Sequence, residues 1–135
     1  MRIAATALLL SSFVALAMGR CTSSETLDTG PPRLVPGWAQ QEGFAGSKRA
    51  VAGARIFADA GCLTCHTYLG AGSRNVGAPD LSSVGSRSHR TEAGYAAYLA
   101  DPSRFGNEVM PPFNKLGGRN LLLVGAFLRA SKGPR

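Results

Sequence analysis

Cysteine, histidine and methionine are scarce in this chain, with three, two and three of them among 135 residues. A structural zinc site needs four protein ligands, and with no second Cys-x-x-Cys pair the sequence does not supply them. Acidic residues are also few, eight against fifteen Lys and Arg. The basic residues are scattered and never form one dense run, which argues against a nucleic-acid footprint and for a solvated surface that steers an acidic partner at most. No internal repeat and no alternating apolar pattern of a β-strand is present, and no βαβ rhythm supports a thioredoxin-like redox dithiol. The one long apolar run, residues 3–18, is short for a membrane span.

What the chain does have is concentrated in Gly61-Cys62-Leu63-Thr64-Cys65-His66-Thr67-Tyr68. Two thiols three residues apart with an imidazole directly after the second form the attachment signature for a covalent c-type haem. On a helical turn, residues i and i+3 lie on the same side, so both sulfurs can reach the two vinyl groups on one edge of a porphyrin. His66 then offers its imidazole to the iron. The N-terminus agrees with this chemistry. Arg2, the apolar run and the small residues around Ala15-Leu16-Ala17 read as a secretory signal over residues 1–20, cleaved or kept as an anchor. Cys21 invites lipid attachment, but Arg20 occupies the position where a lipoprotein signal wants a small residue.

Residues 21–43 are rich in Ser, Thr, Pro and Gly and show no period, so they are expected to be a flexible linker or docking arm, with Trp38 packed on the domain. Residues 44–135 form the domain. Ser47 is the expected N-cap of a helix running to about Ala60, in which Gly53 and Phe57 share a face. An interior glycine costs about 1 kcal/mol against alanine, so another helix is expected to cross closely there. Residues 67–90 read as loop. Thr91-Glu92 starts a short helix through Tyr95, Tyr98 and Leu99 that Pro102 stops, and a last helix covers about 119–131. The fold class is therefore all-α, three main helices and long loops around one covalent haem. A domain this small buries little apolar surface by itself, and a haem supplies the missing centre.

For the second axial position the candidates are Met110 and His89. Met110 precedes two prolines that stiffen its loop, whereas His89 sits in a Ser- and Arg-rich stretch, and Met110 is the favoured ligand. A thioether is a soft, neutral donor that favours ferrous iron, and two protein ligands leave no open position for oxygen or peroxide. The chain resembles the small monohaem class I cytochromes c over residues 45–133. The likeness is carried by Gly53-x-x-x-Phe57, Cys62-x-x-Cys65-His66, Pro79-x-Leu81, Met110-Pro111-Pro112-Phe113 and the terminal helix with Phe127. The resemblance implies thioethers from Cys62 and Cys65, His66 as proximal and Met110 as distal ligand. It also implies that the Pro79 carbonyl accepts from the other ring nitrogen of His66, that Arg87 faces a haem propionate, and that Gly53 and Phe57 pack on Phe127. Ala78 departs from the glycine usual before that proline, and the arm is not part of the family core.

The resemblance further implies an electron carrier and not an enzyme, holding one haem c. Expected donors are a quinol-oxidising complex or dehydrogenase, and expected acceptors a terminal oxidase or reductase. The expected location is the periplasm or the outer face of the cytoplasmic membrane. Two rivals remain: a fixed subunit of a larger respiratory complex, docked through residues 22–43, and a haem peroxidase or gas-binding protein in which Met110 does not ligate.

Overall fold

In a computed structural model the described residues are 31–74 and 76–135. The signal, Cys21 and the first part of the arm lie outside them. Among the described residues there are five helices: α1 (Pro31–Gln41), α2 (Lys48–Asp59), α3 (Val84–Arg87), α4 (Glu92–Ala100) and α5 (Gly118–Ala130). None is long and apolar enough to cross a membrane.

α2 begins where the sequence predicts. Ser47 is extended, and its Oγ accepts from the Ala50 backbone N–H at 3.2 Å. Ala50, Gly53, Ala54, Phe57 and Ala58 are its buried residues, one apolar stripe at helical spacing. α4 is capped the same way, by Thr91 Oγ1 on the Gly94 N–H at 3.0 Å, with Glu92 in its first turn. It ends at Ala100, and a 3₁₀ turn over Pro102–Phe105 follows. α5 buries Leu121, Val124, Phe127 and Leu128.

α5 is the axis of the body, crossed by α2 on one flank and α4 on the other. A Cβ built on Gly53 would stand 1.9 Å from the Leu123 carbonyl oxygen and 2.9 Å from Phe127 Cβ. One on Gly125 would stand 2.4 Å from the Glu92 carbonyl oxygen. The glycine that is unfavourable within α2 is therefore required by the approach of two backbones. Gly53→Ala is expected to remove about 3 kcal/mol of stability through overpacking, read from urea unfolding of the full chain. A loss under about 1 kcal/mol would mean that the helices separate at little cost.

The first departure from expectation is α1. Residues 31–41 are not an extended linker but a helix, although Pro36 lies inside it. Val35, Trp38 and Ala39 are all at most 3% exposed, and they occupy one helical face. Trp38 packs as expected, but as part of the core. Its ring lies 4.8 Å from Tyr68, 6.4 Å from Phe127 in a stacked arrangement, and 6.5 Å edge-on from Phe57. The prolines weaken helix propensity locally, and burial of this aromatic face outweighs that cost. The C-terminus secures the end of α1. Arg135 N–H donates to the Gln41 carbonyl at 2.9 Å, and Gly133 N–H donates to Glu42 Oε2 at 2.8 Å. Glu42 is 1% exposed, its Oε1 has no hydrogen-bond partner among the described residues, and burial raises its pKa.

The second departure is a small hairpin in the expected loop, β1 (Thr67–Tyr68) paired antiparallel with β2 (Ala71–Gly72). Its turn holds Leu69 at φ 45, uncommon for a residue with a side chain. Tyr68 is fully buried, and its hydroxyl lies 2.9 Å from Ser131 Oγ.

Candidate cofactor site

The two motif cysteines sit on a single tight turn. Cys62–Thr64 is 3₁₀, not α-helical, and both the Cys65 and His66 N–H groups point to the Cys62 carbonyl, at 3.3 and 3.0 Å. In such a turn residues i and i+3 eclipse, so both sulfurs leave the chain on one side. Both thiols are free, Cys62 buried and Cys65 half-buried. Burial, with a smaller contribution from Cys65, pushes the Cys62 thiol up to about 11. A reactive dithiol needs the opposite shift, because the thiolate is the nucleophile.

His66 is oriented by one hydrogen bond. Its Nδ1 lies 2.8 Å from the Pro79 carbonyl oxygen. A carbonyl only accepts, so Nδ1 carries the proton and Nε2 presents its lone pair. The hairpin and the 79–83 loop hold this pair in register. Thr67 Oγ1 donates to Asp80 Oδ2 at 2.6 Å, Leu81 N–H to the Thr67 carbonyl at 2.9 Å, and Leu69 N–H to Ser82 Oγ at 2.7 Å. Burial alone would raise the Asp80 carboxyl. The hydrogen bonds from Thr67 and Ser82 and the Arg87 charge outweigh it and hold the group below its usual value. Gly72 is also obligatory, since a Cβ there would stand 2.2 Å from the His66 carbonyl oxygen.

Arg87 is exposed, and its guanidinium donates to Ser83 Oγ and to the Asp80 carbonyl, each at 2.5 Å. It is thereby tied to the loop that holds His66. Met110 is half-buried and packs against the core. His89 is exposed and lines a concavity of about 220 Å³ with Arg90, Arg129 and Lys132, a lining that includes neither the attachment turn nor Met110. Two groups escaped the sequence reading. Asp80 is held by Thr67, thirteen residues away and without a local pattern, and by the Ser82 N–H two residues on, an Asx-turn contact at 2.8 Å. Asn107, three residues before Met110, accepts from the Met110 N–H at 3.1 Å. The same Oδ1 accepts from the Val109 N–H two residues on at 3.2 Å, the Asx-turn contact that an asparagine favours.

Among the described residues no three His, Cys, Asp or Glu side chains cluster as metal ligands. Two free thiols on one side of a turn, followed by an imidazole whose Nε2 has no hydrogen-bond partner among the described residues, do fit a porphyrin joined through its vinyl groups and ligated at iron. Fold and donor set together define a small, mainly helical haem protein. The family model described as Cytochrome c matches residues 50–121, more than half of the chain, and the chain belongs to the cytochrome c family. It is a haem-binding electron-transfer protein whose cofactor is covalent c-type haem with iron. The matched region begins after α1. No curated protein and no solved structure matches the chain.

Proposed function

We propose that the protein is an exported one-electron carrier. In this reading Cys62 and Cys65 form the thioethers, His66 is the proximal ligand and Met110 the distal one. It passes electrons between membrane respiratory donors, a quinol-oxidising complex or dehydrogenase, and acceptors outside the cytoplasm, a terminal oxidase or reductase. The observation that carries this reading is the 2.8 Å contact between His66 Nδ1 and the Pro79 carbonyl, which leaves Nε2 for iron.

When bound, the haem supplies an iron that takes up and gives up one electron. The chain's task is to keep its ligands still, so that little reorganisation accompanies the transfer. The Pro79 carbonyl fixes the plane of the His66 ring and raises its basicity. The Thr67–Asp80 contact and β1–β2 hold the two loops that carry this pair. Met110 would hold the iron through a soft sulfur on a loop stiffened by Pro111 and Pro112, a donor that would favour the ferrous state and leave peroxide and gases no site. Arg87, tied to the same loop as Pro79, is the cation assigned to a propionate.

The rival reading as a docked subunit drew on a long free arm. Residues 31–41 of that stretch are folded into the body as a helix, which favours the freely moving carrier. The test is to mature the full chain in a haem-loading host and measure its intact mass and absorption spectrum. One haem added to the polypeptide mass is expected, with a low-spin ferric spectrum and the weak long-wavelength sulfur-to-iron band. Colourless protein at the bare polypeptide mass would overturn the proposal. A haem adduct with a high-spin spectrum would overturn its distal ligand.

A further inference from the structure

The loop that presents Met110 is poor in backbone hydrogen bonds. Pro111 and Pro112 have no N–H to give. Among the described residues, the bonds that hold the backbone between Asn107 and Phe113 are few. The Phe113 N–H reaches the Leu99 carbonyl at 2.8 Å, and the Val109 and Met110 N–H groups both reach Asn107 Oδ1, at 3.2 and 3.1 Å. Val109 is 93% exposed, so solvent competes for this segment.

Asn107 also faces the other way. Its Nδ2 donates to Tyr98 Oη at 2.6 Å. The orientation of the amide is dictated by its surroundings, because a reversed amide would set its NH₂ against two N–H donors. Tyr98 stands on α4 and is itself braced. The Phe105 ring lies 5.6 Å from it, and the Arg90 guanidinium lies over it at 4.6 Å. The Asn107 backbone is held in addition by the Pro102 carbonyl, at 3.2 Å.

We infer that Asn107 is the positioning residue for Met110: its side-chain carbonyl gathers the two N–H groups of the methionine segment, and its amide anchors that segment to Tyr98 on α4. The inference rests on Met110 being the distal ligand. Without the clamp the loop samples more conformations, the sulfur leaves its position more often, and an external ligand takes its place.

The experiment measures imidazole affinity of the ferric haem-loaded protein, the sulfur-to-iron band and the midpoint potential, for Asn107→Ala, Asn107→Asp and Tyr98→Phe. Asn107→Ala is expected to bind imidazole about tenfold more tightly and to lose the sulfur band at a lower temperature. Asn107→Asp keeps the acceptor for both N–H groups and is expected to stay within about threefold of the parent. Tyr98→Phe, which removes only the anchor, is expected to fall between them. A purely structural role would lower the urea midpoint without moving imidazole affinity, and that result overturns the inference. So does an aspartate variant as loose as the alanine one. Should Asn107→Ala fail to fold, the aspartate and Tyr98→Phe variants carry the same comparison, and equal imidazole affinity in both overturns it. Met110→Ala separates the two readings. If that variant keeps the sulfur band, the ligand assignment itself is wrong. If it loses the band while Asn107→Ala matches the parent, only the clamp is wrong.

Discussion

Met110→Ala should lower the midpoint potential by on the order of 0.2 V, abolish the sulfur-to-iron band and open the iron to carbon monoxide. Thioether sulfur is neutral and soft, so it stabilises ferrous iron relative to ferric. Water or a harder donor in its place reverses that preference. Axial ligation spans about 0.8 V across haem proteins, and loss of one sulfur is a sizeable part of that range. Methionine is also a common filler of irregular core space, and half-burial against the core is what filler would show. The two roles separate cleanly. Filler lost to alanine costs stability and leaves the potential and spectrum alone, whereas a lost ligand changes both even where the fold persists. A redox titration followed optically decides between them.

Trp38→Ala should cost about 4 kcal/mol, which for a body of this size lowers the melting temperature by roughly 20 °C. The indole is 3% exposed and touches three aromatic rings contributed by α2, β1 and α5. Removing it leaves a cavity at the point where these elements meet, and they cannot all close over it at once. If residues 31–41 were merely an arm resting on the surface, the same change would cost under about 1 kcal/mol. Urea unfolding and near-UV circular dichroism of the full chain measure the difference. A small loss would detach α1 from the body.

Trp38 also explains why the sequence misled at this point. The run around it contains Pro36 and Gly37, unfavourable inside a helix, and Pro31 and Pro32, which only a first turn tolerates. Val35, Trp38 and Ala39 lie at helical spacing, but three residues among so many breakers do not amount to a period. The pattern becomes meaningful only once Tyr68, Phe57 and Phe127 are known to stand opposite. The hairpin escaped for a related reason, since strands of two residues carry no alternation to read.

Where local chemistry decides the outcome, the residues alone sufficed. Ser47 and Thr91 cap α2 and α4 because a side-chain oxygen and an N–H three residues on are neighbours in any context. Cys62, Cys65 and His66 fall on one turn because their spacing permits little else, and the cost of Gly53 announced a close crossing before its partner was known. The tertiary structure decided what depends on groups far apart in the chain. It set the tautomer of His66 through Pro79, the lowered pKa of Asp80 through Thr67 and Arg87, the helix at 31–41 through the aromatic cluster, and the bridge from Asn107 to Tyr98. Short-range hydrogen bonds are written in residue spacing. Burial and long-range pairing exist only after the chain has closed on itself, because their partners are set by packing and not by proximity in the sequence.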